Sequence, residues 1–362
     1  MPPHVQQPWI GKPAVDIVFI LLPPFACLFV IALFPQLFQN DKGMPDAAWV
    51  VLILLIDVAH VYSTLYRTYF DPQVYRKQKS LLLAIPFISF VSGVLLYSVS
   101  VLWFWRILAY VAIFHFIRQQ YGFMRVYSRK EDNRGWMAKT DKLTIYYATL
   151  YPILYWHLSG PRNFNWFIEQ DLMYFQSHLL LTLLTWLYYA VLLLYIGREL
   201  LSFIRFRVIN WPRSLTITGT VISWYAGIVY FNGDMAFTLL NVVSHGIPYM
   251  ALIWLFGKKT YTQAGKGSRF LQMLFSFRGL IVFIGLLFLF AFIEEGLWDW
   301  AVWQEHARVF NMSWLGEVSI SPKALSFIVP LLALPQITHY ILDGFIWKIK
   351  EDSFKWSKED TK

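Results

Sequence analysis

Apolar stretches of about twenty residues recur from one end of this 362-residue chain to the other, separated by short polar segments. An α-helix needs about this length to cross the roughly 30 Å hydrocarbon core of a bilayer. The pattern therefore predicts an all-α fold, a polytopic membrane helix bundle that forms a single transmembrane domain over residues 1–362. About ten transmembrane helices are expected, near residues 15–38, 47–69, 80–100, 103–124, 142–160, 176–200, 214–231, 234–256, 273–295 and 322–347.

Basic residues fall on alternate sides of this predicted bundle. Clusters of Lys and Arg follow the second, fourth, sixth, eighth and tenth spans, whereas the loops between them hold Lys42, Arg162 and Arg308 and little else. Loops rich in Lys and Arg stay in the cytoplasm, so both termini are predicted to be cytoplasmic. The unbroken alternation supports the count of ten, because one missed span would reverse every later loop. The expected location is a cell inner (plasma) membrane.

Composition agrees with this class and excludes several others. The chain is 57% hydrophobic and only 15% charged, whereas a soluble domain carries about 25% charge. The net charge of +9 is explained by topology and by attraction to anionic lipid, so the bilayer is the expected partner and nucleic acid is not. Cys27 is the single cysteine, which excludes an intrachain disulfide and a cysteine-based metal site.

A tryptophan-rich segment, EEGLWDWAVWQEHARVFNMSWLG at 294–316, is predicted to lie on the outer side of the bundle. Tryptophans among acidic residues are typical of a segment at the membrane interface, where it would act as an anchor or as a lid. Glu294, Glu295 and Asp299 are expected to form a solvated outer rim.

The histidines carry most of the information about function. His157 and His178 lie near the outer ends of predicted spans, whereas four of the eight lie deeper, each on a helix that runs from outside to inside and each 9 to 13 residues before the first cytoplasmic anchor. At about 1.5 Å per residue, this places all four at a similar depth. These histidines are His60, His115, His245 and His339.

Each of these histidines has polar neighbours at the helical spacings that put side chains on one face. Polar stripes on apolar helices are expected to face inward, because an ionisable side chain in lipid costs at least about 2.5 kcal/mol. Asp57, Asp343, Arg118 and Gln119 are the predicted catalytic residues among them. The stripes are Asp57, His60, Thr64 and Arg67; His115, Arg118, Gln119 and Gly122; Thr238, Asn241, His245 and Tyr249; and Gln336, His339 and Asp343.

Converging imidazoles at one depth favour a metal centre, with His60, His115, His245 and His339 as the ligands. A set of imidazoles with carboxylates nearby and no thiolate favours non-haem iron, with haem, copper or zinc as alternatives. Asp57 and Asp343 are placed to accept a hydrogen bond from an imidazole and so fix its tautomer, or to act as ligands. The competing interpretation is that single membrane histidines are hydrogen-bonding partners in helix packing, and that Arg118 reaches the interface or pairs with an aspartate.

The motifs DVAHVYSTLYRTYFD, HFIRQQYGF, NVVSHGIPY and HYILDGFIWK resemble those of uncharacterised bacterial multi-pass membrane proteins with intramembrane histidines. The architecture of widely spaced intramembrane histidines with nearby aspartates is also similar to that of the Brp/Blh-type bacterial membrane β-carotene dioxygenases. That family is thought to hold iron through histidines and to cleave a polyene with oxygen. The resemblance covers the membrane core and implies an iron-dependent oxygenase with its metal at the four histidines.

Three classes of function are consistent with these features. The first is an oxidoreductase, an iron- and O2-dependent oxygenase that acts on a lipid or polyene within the bilayer, with an unspecified electron donor. The second is a membrane cytochrome with b-type haem held between facing histidines. The third is a proton-coupled transporter, since intramembrane Asp, His and Arg also form proton relays.

Overall fold

The structure, a computed structural model, describes residues 7–38, 43–131, 135–262, 267–311 and 320–347. Within these ranges the chain is helical and contains no β-strand. The helices are α1 Pro13–Leu21, α2 Pro23–Leu33, α3 Asp46–Arg67, α4 Pro72–Val99, α5 Val101–Tyr127, α6 Trp136–Ser159, α7 His178–Phe206, α8 Trp211–Trp224, α9 Asp234–Tyr261, α10 Arg269–Leu274, α11 Gly279–Trp303, α12 Ala307–Phe310, α13 Pro322–Leu332 and α14 Leu334–Ile346.

The all-α class is confirmed, and each predicted span coincides with helical structure. Seven spans are long and apolar enough to cross a membrane: α3, α4, α5, α7, α9, α11, and α13 with α14. The pair α1 and α2, bent by 54°, would make an eighth. Helix α6 is 24 residues long but not apolar enough, and α8 does not combine the required length and apolarity either, so the count of about ten is not confirmed. The cytoplasmic location of the termini stays a prediction.

Helix α9 lies at the centre of the bundle. Of its apolar window, 67% is buried, compared with 17% for α7 at the periphery. It packs against α1, α2, α3 and α8, while α14 packs against α3, α4 and α5. The helices that carry the four histidines are therefore neighbours.

Polar and proline residues determine where several of these helices begin. The Asp71 carboxylate accepts hydrogen bonds from the backbone N–H groups of Gln73 and Val74, which caps α4. Ser100, in an extended conformation, separates α4 from α5 and caps the latter through the Trp103 N–H. Pro335 has no N–H to donate to the Leu331 carbonyl, and the last span is accordingly broken between α13 and α14.

Candidate metal centre

The four intramembrane histidines meet at one point in the interior. His60 on α3, His115 on α5, His245 on α9 and His339 on α14 are each at most 3% exposed. One ring nitrogen from each lies within 4.8 Å of the corresponding nitrogens of the other three. The predicted convergence is therefore present in the fold, and the four side chains could hold a metal ion.

The spacing of the nitrogens fits a shared cation. His115 Nε2 and His245 Nε2 are 3.2 Å apart. Two nitrogens that each lie 2.0–2.1 Å from one ion are separated by about 2.9–3.4 Å when the angle at the metal is between 90° and tetrahedral. Two nitrogens on opposite sides of the same ion would be about 4.2 Å apart. The four histidine nitrogens lie within 4.8 Å of one another, so they would move inward only slightly to bind one ion.

Several of these nitrogens have no protein partner within the described part of the chain. His339 Nε2 and His245 Nδ1 are buried without a hydrogen bond, and neither nitrogen of His60 makes a well-formed one. A buried polar atom that lacks a partner costs about 1–3 kcal/mol. A cation at the shared point would satisfy the ring nitrogens that face it. His245 contacts His115 through Nε2, so its Nδ1 would stay without a partner.

A hydrogen-bonded chain orients His339 and ends at an aspartate close to His115. His339 Nδ1 lies 2.7 Å from Thr64 Oγ1, which is 2.9 Å from the Tyr249 hydroxyl. Tyr249 in turn donates to Asp343 Oδ1 at 2.5 Å. The other carboxylate oxygen, Asp343 Oδ2, is 3.7 Å from His115 Nδ1. Because Nδ1 of His339 is engaged in this chain, its Nε2 is the nitrogen that faces the other histidines.

Asp57 occupies the equivalent position beside His60. Its Oδ1 lies 3.7 Å from His60 Nδ1, beyond hydrogen-bonding distance, and its side chain is 33% exposed. Both aspartates thus stand behind an imidazole rather than within the group of converging nitrogens, which is the place of a residue that orients a ligand.

Close helix packing brings the rings into contact. A Cβ added to Gly246 would lie 2.9 Å from Ile56 Cγ2 and 3.1 Å from the Ile56 carbonyl oxygen, so only glycine permits this approach of α9 to α3. As a result, the His60 and His245 rings are 4.7 Å apart, centroid to centroid. Phe116 stacks on the other side of His245 at 3.6 Å and an interplanar angle of 6°, which fixes its ring plane.

The backbone before His60 is also irregular. Residues Val50–Val58 of α3 form a π-helical stretch that returns to α-helix at Ala59. Such stretches are rare and occur frequently at functional sites, since the wider turn rotates the side chains that follow.

The remaining predicted catalytic residues have different positions. Gln119 is buried and donates to the His245 carbonyl oxygen at 2.8 Å, so it holds the backbone that carries this histidine. Arg118 does not face inward as expected: it is exposed, donates to the Tyr146 hydroxyl at 2.6 Å and lies over the Tyr121 ring. One helical position, about 100° of rotation, separates Gln119 on the inner face from Arg118 on the outer one.

The prediction of a solvated acidic rim is wrong. Glu294, Glu295 and Asp299 are 4%, 8% and 6% exposed, so they are buried rather than solvated. Glu294 accepts a hydrogen bond from the Tyr62 hydroxyl at 2.6 Å, and Asp299 accepts from the backbone N–H groups of Glu305 and His306. These donors compensate for part of the lost water at Glu294 and Asp299, whereas Glu294 Oε1 has no hydrogen bond within the described residues.

The tryptophan-rich segment packs onto the bundle over its described part. Trp298 and Trp303 stack on each other with centroids 5.6 Å apart, and both contact Trp105 of α5. Trp314 lies outside the described residues. The choice between an interfacial anchor and a lid stays a prediction.

Sequence analysis placed Thr64 and Tyr249 on polar stripes but did not identify the chain from His339 to Asp343. The signal was present in the spacing, because Thr64 and Tyr249 each follow a histidine by four residues, His60 and His245 respectively. No pattern in the sequence indicated that these two hydroxyls, on different helices, would meet.

Comparison of this chain with protein-family models, with curated proteins and with solved structures found no match. Its function must therefore be inferred from the site itself.

Proposed function

We propose that this protein is an integral-membrane metalloenzyme, a histidine-ligated non-haem iron oxygenase that acts on a lipid or polyene. The observation that carries the proposal is the convergence of four buried imidazoles, each with one nitrogen within 4.8 Å of the others. A shared cation is the simplest reason for four helices to direct lone pairs at one point in an apolar interior. The bacterial-type inner membrane is the proposed location.

Iron is favoured by the donor set and by the surroundings of the site. All four candidate ligands are imidazoles, the buried Cys27 is not among them, and carboxylates stand behind two of the rings. Imidazole suits iron, copper and zinc, but zinc held by four protein ligands is typical of closed structural sites. The centre lies between α3, α5, α9 and α14, which all belong to the long apolar spans, so an O2-activating metal there would meet an apolar substrate.

A bound iron ion would supply O2 activation, and the chain's own residues would hold and orient it. His60, His115, His245 and His339 would bind the ion, while Thr64 and Asp343 would orient His339 and His115. Insertion of both atoms of O2 across one carbon–carbon double bond gives two carbonyl products and balances without another reductant. A reaction that inserts one oxygen atom would require two electrons and two protons from a donor.

A b-type haem fits this geometry less well than a bare ion. If two of the imidazoles bound a haem iron from opposite sides, the porphyrin ring would fill the plane between them. With all four ligand nitrogens within 4.8 Å of one another, the macrocycle would overlap the other two rings. A cytochrome would require at least two of the four helices to separate.

Elemental analysis and an absorption spectrum of the full chain purified in detergent test the proposal. Non-haem iron, with O2 consumption when a polyene is added, is the expected result. A Soret band would indicate the cytochrome instead. Absence of any transition metal, including after reconstitution with Fe(II) under anaerobic conditions, would overturn the enzyme assignment and favour transport.

A further inference from the structure

A cavity of about 260 Å³ lies directly beside the histidine centre. It is enclosed by α3, α4 and the junction of α13 with α14, and His339 forms part of its wall. Most of the lining is aliphatic, including Val61, Leu65 and Leu342. Leu331, another lining residue, is 55% exposed, so the cavity leads from the outer surface of the bundle to a candidate metal ligand.

The outer surface at this point is one that faces lipid. Phe87 and Ile88, next to the lining residue Pro86 on α4, are 69% and 60% exposed. Only 22% of the apolar window of α4 is buried. An apolar molecule dissolved in the bilayer would therefore reach the cavity sideways, without passing through water.

The break in the last span creates the space. Helix α13 ends at Leu332 and α14 begins at Leu334, and Pro335 prevents a continuous helix from filling the gap. Leu334 and Pro335 both line the cavity just after this break. The same irregularity thus orients the start of α14, with His339, and opens the side of the bundle.

One polar group on the cavity wall has no partner. The Thr338 hydroxyl is buried without a hydrogen bond within the described residues, and the side chain is 8% exposed. Membrane-embedded threonines usually bond to a carbonyl of their own helix or to a neighbouring helix. This hydroxyl oxygen is itself inaccessible, so a rotation of the Thr338 side chain would bring it to a polar group on a molecule bound in the cavity.

We infer that this cavity, termed here the lateral cavity, is a substrate site that admits the hydrocarbon chain of a membrane-dissolved lipid and binds its hydroxyl or carbonyl group through Thr338. The inference rests on the proposed enzyme function and names the entrance, the binding wall and the class of substrate. The aliphatic lining and the opening toward lipid both favour a lipid chain as the occupant, because they exclude a charged or strongly hydrated molecule.

The test uses a photoactivatable long-chain alcohol, with a diazirine on its chain, added to the full-length protein in lipid nanodiscs. Labelling of peptides from α3, α4 and α14 is expected in the wild-type protein. Leu334→Trp should reduce this labelling by about five- to a hundredfold, because it fills the cavity. Thr338→Val should reduce it by about two- to tenfold, the contribution of one neutral hydrogen bond.

The chain offers a matched control in a second lipid-facing groove of about 530 Å³, which is lined by Tyr151, Tyr155, Leu181, Trp186 and other residues. Leu181→Trp introduces the same bulk at another half-buried leucine and should leave labelling of the lateral cavity unchanged. Equal losses for Leu181→Trp and Leu334→Trp, unchanged labelling in Leu334→Trp, or no labelling of the wild-type cavity would each overturn the inference.

Metal analysis of the same samples separates this inference from the proposed function. Leu334→Trp and Thr338→Val are expected to keep wild-type metal content, which also shows that they fold. Bound metal with an unlabelled cavity would reject the lateral site and leave the enzyme proposal standing. A labelled cavity in a protein that binds no metal would reject the enzyme proposal and leave a lipid site.

Discussion

Two of the buried polar regions in the bundle differ in how their charges are balanced. The histidine centre holds four imidazoles, which are groups of one kind. The second region, termed here the charged cluster, joins the ends of α5, α6, α7 and α8 and consists of residues with opposite charges: Glu131, Asp141, Arg198, Glu199 and Arg213.

Each charge in the charged cluster faces an opposite charge. Arg213 Nη1 donates to both carboxylate oxygens of Glu131 at 2.7 and 2.8 Å, and its Nη2 contacts Glu199. Arg198 donates to Asp141 at 2.8 Å and to Glu199 at 3.0 Å. The three carboxylates and two guanidinium groups offset one another except for one negative charge, although Asp141 Oδ1, Arg198 Nε and Arg213 Nε have no hydrogen bond within the described residues.

The histidine centre lacks this internal balance. His115 and His245 are the one pair of these imidazoles joined by a hydrogen-bonding distance, and the unpartnered nitrogens belong to His60, His245 and His339. The charged cluster thus carries its own opposing charges, whereas the four imidazoles converge with no charged partner among themselves, and we expect an added ion to complete only the histidine centre. Four variants test this difference, in order of expected effect.

The largest effect is expected from removal of one imidazole. His339→Ala should lower metal content from about one ion per chain to an undetectable level, because loss of a ligand exceeds the roughly 10–100-fold effect of residues that only orient one. Elemental analysis of the purified variant measures this. His157→Ala is the matched control, since His157 bonds to Tyr110 and the Ile153 carbonyl away from the centre. Full metal content in His339→Ala would reject this residue as a ligand.

A substitution in the charged cluster is expected to lower the stability of the protein and to leave its metal content unchanged. Arg213→Met leaves buried carboxylates without their arginine and is expected to lower the free energy of unfolding by about 3–5 kcal/mol. Denaturation of the detergent-solubilised protein measures this quantity. Metal content per folded chain should match the wild type. A metal-depleted but stable variant would show that the two regions do not have separate roles.

Replacement of the carboxylate behind His115 should produce an intermediate effect. Asp343→Asn keeps an oxygen for the Tyr249 hydroxyl but loses the negative charge that faces His115 at 3.7 Å. Metal affinity is expected to fall by about 10–100-fold while the ion remains detectable. Competition with a chelator gives the affinity, and an unchanged value would reduce Asp343 to a packing role.

The smallest effect is expected from the hydroxyl that bonds to His339. Thr64→Val preserves the side-chain shape but removes the partner of His339 Nδ1 and of the Tyr249 hydroxyl. The expected loss in metal affinity is about two- to tenfold, consistent with one neutral hydrogen bond. Thr149→Val on α6, whose hydroxyl bonds only to carbonyls of its own helix, is the control. Equal affinities for both variants would contradict a positioning role for Thr64.

The sequence was sufficient for the helical class and for the depth of the histidines. Both depend on one-dimensional quantities: apolar run length, and the number of residues from His60 or His339 to the end of a span. It was also sufficient to place Gln119 on an inner face, because spacing along one helix sets which residues share that face with His115.

Contacts between helices were decided by the tertiary structure alone. Arg118 faces outward and Glu294 is buried because neighbouring helices supply Tyr146 and Tyr62 as partners, and spacing along one helix says nothing about its neighbours. The link from Thr64 through Tyr249 to Asp343 likewise joins three helices far apart in the chain. Hydrophobic periodicity selects an inner face, whereas close packing, as at Gly246 against Ile56, selects which inner faces touch.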